Sequence, residues 1–326
     1  MNSKIEIENK NNLSAESTYG KIVGVSGGLY KIRTENSETV FCRAKGAFRH
    51  SGLTPLVGDN VRLRFDGVTV KGDESGGGVV IEDILERKNA LIRPPMANLD
   101  CMFVSMASAS PAPILPTVDK LISIAEHNSI EPYIVIEKCE LDREKTAEIK
   151  AIYELGGFKV FPVSCVTGEG TDELRDFIYS ELCGKTSAFS GASGVGKSTL
   201  MNMLFPSLSL ETGKISRKIE RGKHTTRSVE LYSLENGGKT VYIADTPGFS
   251  MLDFKNFDFF SKDDLPYTFR EFLPLIGQCK YTKCSHTKEE GCAILEEIKN
   301  GRIARSRHDS FLEIYSILKD KKEWDK

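Results

Sequence analysis

A multidomain α/β architecture is what this sequence predicts, because its texture changes twice along the chain. From Tyr19 to about Glu86, short alternating runs (GKIVGVSGGLYKIRT, ETVFCRAKGAF, VGDNVRLRF, GGGVVIEDIL) are separated by Gly-rich or polar turns, the spacing of a small antiparallel β-barrel. After Arg87 the apolar runs CMFVSM, PYIVI, FKVFPV, TSAFS and TVYIAD alternate with helical segments, as in βαβ units around a mainly parallel sheet. Beyond Phe254 the strands stop and the chain turns helical and loop-rich. The expected division is a flexible tail over 1–18, an OB-like barrel over 19–88, a parallel-sheet domain over 89–254 and a helical domain over 255–326.

The opening MNSKIEIENKNNLSAES is polar and of mixed charge, and no run of eighteen apolar residues occurs, so the expectation is a cytoplasmic protein without membrane spans. The net charge of −2 is unevenly spread: residues 19–72 hold nine Lys/Arg against four Asp/Glu. Tyr30, Phe41 and Phe48 lie among Lys31, Arg33, Arg43, Lys45 and Arg49, which fits either an oligonucleotide-binding surface or core aromatics between solvated charges. In the second segment, helices are expected after Pro116, Asp142 and Thr171. The last segment ends in an amphipathic stretch with Phe311, Ile314, Tyr315 and Leu318 at helical spacing. Cys42, Cys101, Cys139, Cys165 and Cys183 stand in apolar contexts and read as buried core thiols.

The run from Ser190 to Ser198 matches GxxxxGK[ST] between an apolar strand and a helix. Gly191, Gly194 and Gly196 let backbone N–H groups turn toward phosphate oxygens. Lys197 supplies a cation for the β and γ phosphates, and Ser198 a hydroxyl for Mg²⁺. Ala192, Ser193, Val195 and Thr199 complete the expected nucleotide-contacting set. Asp245 of DTPG follows an apolar strand, placing a carboxylate for the magnesium shell and the Gly248 N–H near the γ phosphate. DTPG argues for GTP over ATP. Between these motifs, Thr225 or Thr226 of GKHTTR is a candidate Mg²⁺ contact on a switch loop, where Gly213 to Arg227 carry six basic residues and one acid. That charge fits a mobile segment with an anionic partner, or more plainly a solvated loop. Phe249 follows DTPG where a polar group would orient water, so slow intrinsic hydrolysis is expected. His224 is the nearest candidate to assist, unless a group comes from outside.

The strand ending VIEKCELD has the place of a guanine clamp, yet precedes the phosphate loop by about fifty residues. A second guanine-side loop, Ser164-Cys165-Val166, also lies upstream. Circular permutation reconciles both, because cutting and rejoining a parallel sheet can keep every strand end in place. Downstream, Cys279-X4-Cys284-X-His286-X5-Cys292 offers three thiolates and one imidazole, the donor set of a closed tetrahedral zinc site, and therefore a structural one.

This order, barrel first and Cys/His cluster last, resembles the ribosome small subunit-dependent GTPase A (RsgA) family, circularly permuted P-loop GTPases of bacteria. The resemblance runs from Tyr19 onward and is carried by GASGVGKS, RGKHTTR, DTPGF, VGDNV and the cysteine spacing. It implies a protein that binds the 30S subunit and its 16S rRNA late in maturation, hydrolyses GTP to GDP when stimulated there, and leaves. A monomer is expected, with one zinc, and with Mg²⁺ accompanying the nucleotide.

The base motif departs from that family. Glu140 can accept hydrogen bonds from guanine N1–H and the exocyclic amine, and Lys138 can cover the ring. Glu137, however, replaces a donor amide and would serve only by turning outward or by carrying a proton. Cys165 and Val166 also depart, although the Cys165 N–H remains a candidate partner for guanine O6. Guanine preference is therefore expected to survive in weakened form. The other class of reading is a nucleotide-gated rRNA-binding module whose turnover is incidental; an ATP-dependent kinase or transporter is disfavoured by DTPG.

Overall fold

The structure, a computed structural model, describes residues 18–45, 48, 53–65, 78–208, 210, 229–245, 254 and 257–321. It divides into two compact units, Met1–Arg87 and Lys88–Lys326.

In the first unit, β1 (Thr18–Ser26), β2 (Leu29–Thr34), β3 (Thr39–Ala44), β4 (Asn60–Phe65) and β5 (Val79–Ile84) close a barrel in the order β1-β2-β3-β5-β4. Alternation sends Ile22, Ile32, Cys42, Val61, Leu63 and Ile81 inward, all fully buried. The barrel is not wholly antiparallel as expected, because β3 and β5 pair in parallel. Since β4 runs antiparallel to both β1 and β5, β5 must return in the direction of β3. The VGDNV stretch serves this closure. Gly58 adopts φ 93° and donates to the Ile22 carbonyl, while the fully buried Asp59 carboxylate takes two 2.7 Å hydrogen bonds from Arg87 and one from the Leu56 N–H. Of the barrel aromatics, Tyr30 is buried in the wall, which favours the core reading for that residue, whereas Phe41 and Phe48 are half-buried. Lys45, Arg62 and Arg64 converge on Glu82 within 3.2–3.6 Å, so part of the basic surface is internally paired.

The second unit opens with a short hairpin of β6 (Ala90–Leu91) and β7 (Met96–Ala97). The chain then runs β8 (Cys101–Ala107), α1 (Leu115–His127), β9 (Glu131–Glu137), α2 (Arg143–Leu155), β10 (Val160–Val163), α3 (Thr171–Glu181), β11 (Thr186–Gly191) and α4 (Lys197–Leu204). It continues through β12 (Glu230–Asn236), β13 (Lys239–Asp245), α5 (Ala293–Lys299) and α6 (Arg305–Asp320). The six-stranded sheet has the order β10-β9-β8-β11-β13-β12, parallel except for the β12/β13 hairpin, an edge strand the sequence reading did not anticipate. Its runs are apolar because both faces are covered; every residue of β8 and β11 is buried. On one face, Phe103, Phe161 and Phe189 pack against Leu174 and Ile178 of α3 and Leu200, Met201 and Leu204 of α4.

The helix α1 covers the other face and is itself covered by α6, which buries Phe311, Ile314 and Leu318 as their spacing predicts. This contact contains a buried ion cluster. Arg307 of α6, 1% exposed, donates to Asp119 of α1 at 2.6 Å and to Glu271 at 2.7 and 3.1 Å, and the Tyr153 hydroxyl meets Asp119 at 3.1 Å. Burial lifts the Asp119 carboxyl above its ordinary range even though Arg307 pulls it back. One cysteine expectation is corrected: Cys42, Cys101 and Cys139 are buried, but Cys165 is half-buried and Cys183, just past α3, is exposed. Among the described residues, no helix is long and apolar enough to cross a membrane.

Removing Arg307 strands two buried acids. Arg307→Ala should therefore cost roughly 3–5 kcal/mol in urea denaturation, and Arg307→Met, Asp119→Leu and Glu271→Leu together should recover much of that loss.

Candidate nucleotide site and metal centre

In an open parallel sheet, ligands gather at the carboxyl ends of the strands where the order reverses. Here β8 is followed by β9 and β10 on one side, while β11 lies on the other, so the reversal falls between β8 and β11. The phosphate-loop motif leaves β11 at this point. Gly191 has φ 141°, and a Cβ on it would stand 2.1 Å from the Ser105 carbonyl at the end of β8. Gly196 has φ 132° and opens α4 as its N-cap, so that the first free N–H groups of the helix face the loop. Lys197 folds back over the loop, its Nζ 2.8 Å from the carbonyls of both Gly191 and Ala192. That arrangement sets an ammonium over a glycine-bearing loop at a helix N-terminus, which suits an anion carrying several oxygens.

The base-side residues arrive from β9 and β10, paired in parallel with Val163 opposite Glu137. Asp142 caps α2 by accepting from the Lys145 N–H at 2.8 Å, which fixes the turn holding residues 138–141. Lys138 sits at φ 56°, and its Nζ donates to the Gly194 carbonyl at 2.9 Å and to the Ser110 carbonyl. The Ser108 hydroxyl donates to the Lys138 carbonyl at 2.6 Å. Lys138 thus straps the base motif to the phosphate loop, a link not legible from spacing alone.

Glu140 is half-buried, and its Oε2 is buried with no hydrogen-bond partner. A carboxylate oxygen oriented away from water in this way suits two N–H donors of a purine edge, the pattern guanine presents and adenine does not. Ser164 is fully buried and accepts from the N–H groups of Val166 and Thr167 at 3.2 and 3.1 Å, shaping the second loop. Burial first, then the nearby Glu137 and Glu140 carboxyls, push the Cys165 thiol up to about 11, so it stands neutral beside both acids. Arg143 and Glu169 form a twofold 2.6 Å pair between the start of α2 and this loop, joining the two base-side segments. Val166 is 84% exposed and projects from the loop tip.

Glu137 does not turn outward. It is 2% exposed, and a Cβ on Gly196 would lie 2.2 Å from its Oε2, so the carboxyl lies directly against the phosphate loop. Of the remaining candidates, Asp245 ends β13 opposite Phe189 of β11, beside the entry to the loop. His224, Thr225, Thr226, Gly248 and Phe249 lie outside the described residues.

Far along the chain, the ligand atoms of Cys279, Cys284, His286 and Cys292 all lie within 4.8 Å of one another. The Cys279 and Cys292 sulfurs are 3.9 Å apart, and each is 3.6 Å from His286 Nδ1. A tetrahedron with bonds of about 2.3 Å has edges of about 3.8 Å, so the donors fit zinc in both type and spacing. The backbone around them is arranged by residues that spacing did not single out. Lys280 N–H bonds the Gly291 carbonyl, bringing Cys279 and Cys292 together. The Glu289 carboxylate accepts from the N–H groups of Ser285, Thr287 and Lys288 and from the Ser285 hydroxyl. Burial opposes ionisation of Glu289, but these bonds prevail and hold its carboxyl at about 2. His308 of α6 donates from Nε2 to the His286 carbonyl at 2.8 Å.

A phosphate loop at the switch point of a parallel sheet, tied by Lys138 to a base-type motif on a strand that precedes it in the chain, defines a P-loop GTPase of permuted strand order. The chain belongs to the RsgA GTPase family, whose model matches residues 84–255, with the RsgA N-terminal domain matching residues 19–71. It is 38% identical over 307 residues to the small ribosomal subunit biogenesis GTPase RsgA of Ruminiclostridium cellulolyticum, covering 92% of this chain and 94% of that protein. The protein of the same name from Geobacillus thermodenitrificans is 40% identical over 308 residues, covering 93% and 98%. Two solved structures are similar at 30% identity. They are YjeQ from Thermotoga maritima (TM-score 0.77, covering 94% of this chain and 100% of that one) and YloQ, described as a circularly permuted GTPase (TM-score 0.74, 96% and 99%).

Two measurements check these sites. Purified protein should carry about one zinc by elemental analysis, and chelation or Cys284→Ser should release it and lower the melting temperature. Glu140→Ala should weaken GDP binding by roughly 1.5–3 kcal/mol and abolish the preference for GDP over inosine diphosphate, which lacks the exocyclic amine.

Proposed function

We propose that this protein is a Mg²⁺-dependent GTPase that binds the 30S ribosomal subunit late in its maturation and hydrolyses GTP when stimulated there. The observation that carries this reading is the bond to the phosphate-loop carbonyl of Gly194 from Lys138, two residues from Glu140, whose buried unpaired oxygen is a guanine-type acceptor. Its relatives are named small ribosomal subunit biogenesis GTPases, which supports the small subunit as partner. In this reading Gly191 to Thr199 cradle the phosphates and Lys197 leaves its carbonyl partners to neutralise the β and γ oxygens. Ser198, Thr225 and Asp245 would hold the magnesium ion, which when bound offsets charge developing on the phosphate oxygens. In the same reading the Gly248 N–H would serve the γ phosphate and His224 or a ribosomal group would orient water, a role the Phe249 side chain cannot fill.

The rest of the reading assigns 19–88 to an rRNA-binding barrel, 89–254 to the GTPase domain and 255–326 to a helical domain organised by one structural zinc. The protein works in the cytoplasm as a monomer on 16S rRNA, with no membrane partner.

The test is phosphate release from GTP with and without 30S subunits, with ATP as control. Stimulation of tenfold or more confined to GTP is expected, and Lys197→Ala should lower the stimulated rate by at least about a hundredfold. GTP binding without stimulation would instead favour a nucleotide-gated binding module.

A further inference from the structure

The buried acid at the end of β9 is a feature that GTP hydrolysis leaves unexplained. Glu137 occupies a position where a side-chain amide would donate a hydrogen bond, and it packs beneath Gly196. Its Oε1 is buried without a partner. A carboxylate left in this state forfeits its hydration on that oxygen, whereas a carboxylic acid forfeits much less. Among the described residues, the groups facing it are few. Ser105 approaches from β8, Lys138 follows on its own strand end, Lys197 opens α4, and the neutral Cys165 thiol stands in the loop after β10. Both ammonium groups are hydrogen-bonded to loop carbonyls, Lys138 to Gly194 and Lys197 to Gly191 and Ala192.

We propose that Glu137 is a positioning residue of the phosphate loop that takes up a proton as nucleotide binds, so that the neutral acid braces Gly196 beneath the bound phosphates. Burial pushes the Glu137 carboxyl up to about 7, and the Ser105 hydroxyl and the Lys197 and Lys138 charges only partly restrain it. Phosphates in the loop above bring negative charge close to this acid and draw Lys197 toward themselves, both of which raise it further. The sign follows by linkage. A group whose affinity for protons rises on binding makes nucleotide affinity highest at low pH, and that affinity falls as pH climbs through the value of the free protein. The side chain touches no reacting atom, so its effect is on nucleotide retention rather than on bond cleavage.

This inference rests on the assignment of the phosphate loop as the nucleotide site. The experiment is calorimetric titration of the intact protein with Mg²⁺ and GDP between about pH 6 and 8.5, in pairs of buffers differing in ionisation heat, for the wild type and Glu137→Gln. The glutamine matches the neutral acid in shape. Wild-type affinity should fall by up to about tenfold from pH 6 to 8, with uptake of up to about one proton above pH 7.5, where the nucleotide phosphates are already ionised. Glu137→Gln should retain the affinity seen at pH 6 and lose the extra slope. Parallel pH profiles for the two proteins, or no proton uptake by the wild type above pH 7.5, would overturn the proposal. Should the variant fail to fold, the wild-type proton count decides alone. Absence of GDP binding at every pH would instead overturn the site assignment.

Discussion

The approach of the loop after β11 to the ends of β8 and β9 is the constraint around which the nucleotide site is organised. Amides can converge on a phosphate only if the backbone bends sharply inward, and that bend brings Gly191 onto the Ser105 carbonyl and Gly196 onto Glu137. No side chain fits at either position. The same closeness lets Lys138 reach the Gly194 carbonyl. The end of β9 and the phosphate loop are therefore two sides of one contact, and a change at the end of β9 is felt at the loop. The position held by Glu137 is one where an acid must be accommodated by the phosphate loop rather than by the base.

Permutation leaves this contact unaltered because a parallel sheet is defined by which strands are neighbours and which ends they share. The order β10-β9-β8-β11-β13 places both base-side loops and the phosphate loop along one rim. It also frees the chain after β13 to continue into the Cys/His-bearing segment. That segment is tied to the sheet through adjacent residues of α6. His308 holds the His286 carbonyl of the metal knuckle, and Arg307 is buried against Asp119 of α1. The knuckle and α1 are thereby linked through one rigid helix. Displacing one against the other would expose or unpair an ion cluster that carries three charged groups with almost no solvent contact.

The strong motifs were legible because each demands particular residues at particular spacings. Three glycines and a lysine before a helix, or three cysteines and a histidine within fourteen residues, have few other uses. The apolar runs of β8 to β11 and β13 were legible for a different reason, since strands covered on both faces cannot alternate. By contrast β12, reading ELYSLEN, is a mixed edge strand whose pairing is supplied by its hairpin partner, so nothing local marks it. The parallel β3/β5 closure was equally invisible, because direction depends on which strand lies next to which.

From composition, periodicity and motif spacing alone came the fold class, the permuted order of the base and phosphate motifs, and the four-donor metal cluster. Those are properties of residue type and distance along the chain. What only the tertiary structure decided is orientation. Glu137 faces inward beneath Gly196, Glu140 keeps a buried oxygen unpaired, Cys183 is exposed while Cys139 is buried, and Arg307, ordinary in a helix sequence, is the centre of a buried cluster. The physical reason is the same in each case. Burial and charge pairing are set by neighbours that lie tens to nearly two hundred residues away in the chain, and no local pattern records them.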